Sequence, residues 1–113
     1  MKEFVLIFRN KDGKHDDPTP DMLQERMNWL AGIAARNRLA NAGNSLSADS
    51  AKTVRPDNIV TDGPFTEIKE FINGYVIVLA MDIDEAVEMA KANPLLKAGG
   101  TVEVREVIVR KKQ

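Results

Sequence analysis

The side chains best suited to chemistry in this chain are Asp62, Glu67 and Lys69 in one stretch, with Arg55 before it and Glu103 and Arg105 near the end. A carboxylate beside Arg or Lys can hold an anionic or hydroxylated ligand through charge-assisted hydrogen bonds. In a partly dry cleft the same carboxylate can act as a base, with an Arg or Lys steadying the negative charge that develops. Against this, Glu67/Lys69 and Glu103/Arg105 each read more simply as ion pairs tying strands or subunits together. Asp62 opens the segment Asp62-Gly63-Pro64-Phe65, where Gly63 supplies φ > 0 and Pro64 fixes its own φ. Its carboxylate can be held by backbone amides of its own turn, as in an Asx turn. A site role beside one Arg and a structural role both stand. Trp29, Tyr75 and Phe65 could line a ligand cavity, although such residues more often build core or interface.

Other chemistries find little footing. The single histidine, His15, lies in a charged loop beside Asp16 and Asp17. Such a loop offers neither a positioned partner nor exclusion of water, and no second cluster completes a metal site. There is no cysteine, hence no disulfide, thiolate metal site or cysteine nucleophile. Gly99-Gly100 lacks the spacing of a phosphate loop, and no serine sits in a G-x-S-x-G setting. No cofactor or metal is expected. A net charge of −1 gives no global attraction to nucleic acid or anionic membrane. No segment reaches the ~20 apolar residues of a membrane span, and a cytoplasmic location is expected.

The 113 residues suit one domain with one modest core. Residues 3–9 read as a strand. Thr19-Pro20-Asp21 signals a helix start, by cap, first-turn proline and favourable dipole. The stripe Leu23, Met27, Leu30, Ala34 should face the core, with Arg36 and Arg38 in the last turns and Gly43 as the stop. Residues 44–61 read as a hairpin excursion, with a strand over 52–55, a turn at Pro56-Asp57-Asn58 and a return over 58–61. Asn73-Gly74 signals a further hairpin turn before the most apolar strand, 75–81. Asp82 and Glu85 resemble a capping box opening a second helix on the stripe Ile83, Ala86, Val87, Ala90, ended by Asn93-Pro94. A last strand runs over 101–109.

This order is the split βαβ, ferredoxin-like α+β pattern, an antiparallel sheet with two helices on one face. A sheet with one wet face should alternate apolar and polar residues. Here Val5 and Ile7 oppose Phe4, Leu6 and Phe8, and Val76 and Val78 oppose Tyr75, Ile77 and Leu79. Two helices cannot dry both sides. The expectation is a homodimer joined through the sheet face; the alternative cover is the 44–61 hairpin folding back.

The motifs Val60-Thr61-Asp62-Gly63-Pro64-Phe65, Glu67-Ile68-Lys69-Glu70 and Gly74-Tyr75 together resemble the YCII-related, or DGPF-domain, family. Asp84-Glu85-Ala86, Glu103-Val104-Arg105, Ala42-Gly43, Leu46 and Thr53-Val54-Arg55 extend the likeness over nearly the whole chain. The resemblance implies a dimeric α/β barrel whose cleft holds a small ligand, within a superfamily that includes oxygenases, dehydrochlorinases and lyases. Some relatives carry a first-helix histidine paired with an aspartate; Arg26-Met27-Asn28-Trp29-Leu30 has none. Two functions follow. One is a homodimeric module binding a small anionic or aromatic molecule, with Arg55, Glu67, Lys69, Glu103, Arg105 and Trp29 as ligand-binding candidates. The other is a small cofactor-independent enzyme of lyase or hydrolase type, with Asp62 as general base and Arg or Lys stabilising charge.

Overall fold

A computed structural model describes residues 1–11, 19–47, 49–63 and 70–110. The fold is built on one long pairing. Strand β1 (Lys2–Lys11) runs antiparallel to β5 (Glu70–Ala80) from Lys2↔Ala80 to Lys11↔Glu70. β6 (Thr101–Glu106) lies on the free side of β1, and β2 (Leu39–Ser45) on the free side of β5. The sheet order is therefore β2-β5-β1-β6, all neighbours antiparallel. With helices α1 (Pro20–Ala35) and α2 (Ile83–Lys91) in the crossovers, this is the expected ferredoxin-like α+β arrangement.

β3 (Lys52–Arg55) and β4 (Ile59–Asp62) form a separate two-stranded hairpin, as the 44–61 segment predicted. Its turn falls at Pro56–Asn58, with Asp57 and Asn58 at positive φ.

Both helices begin as their sequences predict. Thr19 caps α1 by accepting from the Met22 amide (3.2 Å), with Pro20 in the first turn. Asp82 caps α2 by accepting from the Glu85 amide (2.9 Å). The reciprocal half of that capping box is not made. Glu85 instead receives the Arg38 guanidinium, tying α2 to the start of β2. α2 stops before Asn93-Pro94, and Pro94–Ala98 forms a short 3-10 turn capped by Asn93.

Several expectations are corrected. α1 ends at Ala35 rather than near Gly43, because Asn37 takes the left-handed conformation (φ 58°) and turns the chain straight into β2. Gly43 lies inside β2 at φ 69°, where a side chain would collide with the Tyr75 carbonyl. Asn73-Gly74 is not a turn. Neither residue has positive φ, as a two-residue type I′ turn requires, and the pair lies within β5 where the register with β1 slips between Phe8 and Arg9. The buried stripe of α1 is Trp29 and Ile33, with Leu30 packed beside them, whereas Leu23, Met27 and Ala34 are exposed. In α2, Ala86, Met89 and Ala90 are buried while Ile83 is exposed. The last strand ends at Glu106, leaving Ile108 and Val109 in solvent.

The core lies between helices and sheet: Phe4 and Leu6 from β1, Val76, Val78 and Ala80 from β5, and the inward residues of both helices. Val102 and Val104 of β6 pack against it. The opposite sheet face carries Val5, Ile7, Ile77 and Leu79, all half-buried. No described segment covers them. Val54, Ile59 and Val60 of the β3–β4 hairpin are themselves more than half exposed. The molecule is 19 Å deep in its thinnest direction, room for one helix layer and one sheet.

Gly43→Ala should lower stability by about 2 kcal/mol or more, since it combines a left-handed backbone with a steric clash against β5. Urea unfolding measures this, and an unchanged midpoint would contradict the role given to Gly43.

Candidate functional site

On the helix-covered side, α1 leans over the β2–β5 edge and leaves a cleft of about 180 Å³. Its apolar wall is Phe8 of β1, Trp29 and Leu30 of α1, and Val76 of β5; Leu95 reaches in from the 3-10 turn. The Phe8 and Trp29 rings meet edge to face, centroids 6.0 Å apart at 72°. The Trp29 Nε1–H donates to the buried Met89 carbonyl at 2.9 Å, so the indole is fixed to α2. Gly43 and Gly74 line the other side without side chains. A Cβ on Gly74 would lie 2.9 Å from the Asn44 carbonyl, so both glycines reflect the close approach of β2 to β5.

Arg26 also lines this cleft. It begins the spacing Arg26, Trp29, Leu30, Ile33 on α1, the i, i+3, i+4, i+7 pattern of one helix face. The inward face of α1 thus starts with a cation. Arg26 is half-buried, and among the described residues it has no ion pair, hydrogen-bonded side-chain partner or ring contact. Among the described residues lining the cleft, none is acidic.

The candidates from sequence are scattered. Trp29 is in the cleft. Tyr75 borders it through β5, but strand alternation places its side chain with Ile77 on the opposite face, where its hydroxyl accepts from the Asn44 amide at 3.2 Å. Asp62 stands in solvent, its side chain 88% exposed and paired with Lys52. Arg55 is exposed at the far end of the same hairpin, opposite Ile59 while Asp62 is opposite Lys52, roughly 10 Å away along the strand. Glu103 and Arg105 lie on β6 of the main sheet. The structure therefore does not join Asp62 to Arg55 at one rim, and it puts Glu103 and Arg105 in a different sheet. Glu67, Lys69, Phe65, His15, Asp16 and Asp17 lie outside the described residues. Among the described residues no three His, Asp or Glu side chains gather as a metal site.

Glu103 and Arg105 do form an ion pair, at 3.3 Å, and Arg9 of β1 completes a small network on the uncovered face by binding the other Glu103 oxygen. The sequence reading missed Arg9, although it shares the Val5/Ile7 face of β1 by alternation. The Arg9 guanidinium first, and then that of Arg105, holds the Glu103 carboxyl below its ordinary value. Glu103 is thus kept ionised as a structural acceptor. A second hollow, about 310 Å³ between α2 and β6, is walled by Ile83, Val87, Leu96, Val102 and Val104. Among its described lining residues Lys91 is the only charged one, and that ammonium is paired with Glu88 at 2.8 Å. Ligand sites need a few convergent polar groups within apolar walls, and the α1–β2–β5 cleft meets that description better.

The fold is thus a ferredoxin-like α+β domain with a ring-walled cleft beneath its first helix. The chain belongs to the YCII-related domain family, whose model matches residues 3–111. A search of curated proteins finds no match. Among the described residues, no helix is long and apolar enough to cross a membrane.

The Glu103 network sets a pH dependence. A carboxyl whose folded value is depressed contributes stability above its unfolded value, and that contribution is lost as pH falls through the folded one. With Glu103 over a third exposed, the effect should stay below about 1 kcal/mol. Wild type should therefore lose slightly more stability than Glu103→Gln on acidification below about pH 4.5. Parallel urea titrations across this range check it, and equal losses would remove the network's electrostatic role.

Proposed function

We propose that this protein is a cytoplasmic homodimeric binding module that holds a small anionic or aromatic molecule in the α1–β2–β5 cleft. The observation that carries the binding role is the cleft itself: a fixed aromatic wall, a volume of about one ring and a half-buried cation. Its volume is close to the ~150 Å³ that an engineered apolar cavity uses to hold benzene, so the ligand is about one ring in size.

The dimer is supported by the opposite face. Val5, Ile7, Ile77 and Leu79 form a contiguous apolar centre across the paired strands β1 and β5. Each apolar side chain removed from water contributes on the order of 1 kcal/mol or more. A second copy laid sheet to sheet would dry this face and close a barrel-like core, leaving the helices and the cleft outside. The absence of cysteine suits a reducing compartment. A general base at Asp62 gains no support from its surroundings, which are open solvent and Lys52.

Light scattering after size exclusion should give about twice the 12.5 kDa chain mass, and Ile77→Lys should shift the protein toward a folded monomer. A wild-type monomer at micromolar concentration would sink the dimer. For binding, a thermal-shift panel of one-ring compounds should raise the melting temperature of wild type. No shift from any compound would count against the cleft.

A further inference from the structure

We propose that the α1–β2–β5 cleft selects a planar aromatic carboxylate, with the Arg26 guanidinium as its anion anchor and the Trp29 and Phe8 rings as the wall its ring packs on. The inference rests on the binding reading above and specifies its ligand.

The first argument is charge. Arg26 heads the inward face of α1, yet among the described residues no carboxylate lies within ion-pair distance of it and none lines the cleft. The chain carries 17 acidic residues against 16 basic ones, so an acidic partner was available in composition. Three other arginines of the main body have taken one: Arg9 and Arg105 share Glu103, and Arg38 takes Glu85. A partly desolvated guanidinium without a counter-ion is a standing preference for an incoming anion. Its planar fork of donors matches a carboxylate through two parallel hydrogen bonds.

The second argument is shape. Trp29 cannot swing away, because its indole N–H is committed to the Met89 carbonyl and its ring to the edge of Phe8. The wall is thus rigid before any ligand arrives, which lowers the ordering cost of binding. A flat ring can lie against such a wall within the roughly one-ring volume of the cleft. Ser45 lines the same cleft. By its pairing with Gly74 it falls on the helix side of β2, so its hydroxyl is a further donor for the second carboxylate oxygen.

The test uses the 113-residue chain and its single tryptophan as reporter. The indole N–H resonance of Trp29 is followed in nitrogen–proton correlation spectra, with affinities from calorimetry. The probes are benzoate, its neutral isostere benzamide, and acetate. A compound of benzoate's size should bind in about the millimolar range or tighter. Benzoate should shift the Trp29 resonance and bind at least about tenfold more tightly than benzamide or acetate, as loss of a charge-assisted bond implies. Arg26→Gln should abolish the preference for benzoate over benzamide with little change in thermal stability, and Arg26→Lys should keep part of it. Benzamide binding as tightly as benzoate, or Arg26→Gln binding benzoate like wild type, overturns the carboxylate assignment while the cleft reading survives. Acetate matching benzoate overturns the aromatic part. Failure of all three probes, with Trp29 unmoved, removes the cleft as a ligand site and the proposal with it.

Discussion

The constraint on which the rest of the structure depends is the ladder between β1 and β5. Both strands are apolar on both faces, and they lie side by side at the centre of the sheet. The helices can serve only one of those faces, because both crossovers pass on the same side. Phe4, Leu6, Val76 and Val78 are consequently sealed, while among the described residues Val5, Ile7, Ile77 and Leu79 are covered only by their neighbours in the sheet. The position of the core, the thinness of the molecule and the case for a partner copy all follow from this asymmetry.

Much of the frame was legible because it depends on local chemistry. The strand alternation, the caps at Thr19 and Asp82, the stop at Asn93-Pro94 and the Pro56-Asp57-Asn58 turn each need only a few consecutive residues, and each lies where those residues put it. The failures share a different cause. Gly43 and Asn73-Gly74 have the chemistry of stops and turns, but in the fold they answer to the approach of β2 and β5, which are distant in sequence. Asn37 supplied the left-handed turn instead. α1 offered two apolar stripes, and local spacing could not decide between them. Trp29 won because its indole reaches Met89, sixty residues away.

The same logic explains why the site was only partly visible. The sequence drew attention to charges that cluster along the chain, such as Asp62 with Glu67 and Lys69, or Glu103 with Arg105. Charges that are neighbours in sequence tend to neutralise one another, and Glu103 and Arg105 do so; Asp62 is neutralised by Lys52 across its hairpin. A binding cation is better sought where no acid is near. Arg26 carried such a signal: counted from it, Trp29, Leu30 and Ile33 complete an inward helical face, so a charged residue had been placed where an apolar one was expected. Taking Leu23 as the start of the stripe hid this.

The two faces of the sheet also separate two properties of this small protein. Val76 borders the cleft, while its neighbour Ile77 belongs to the opposite face, so alternate residues of β5 belong to alternate surfaces. A change on the open face alters what that face can bind without placing an atom in the cleft, and the reverse holds for Arg26 or Trp29. The exception is the β2–β5 edge, where Gly43 packs on the Tyr75 carbonyl and Tyr75 holds Asn44 across the strands. That contact is shared by both surfaces. If ligand occupancy and assembly influence one another, a shift of β2 against β5 at this edge is one physical route available.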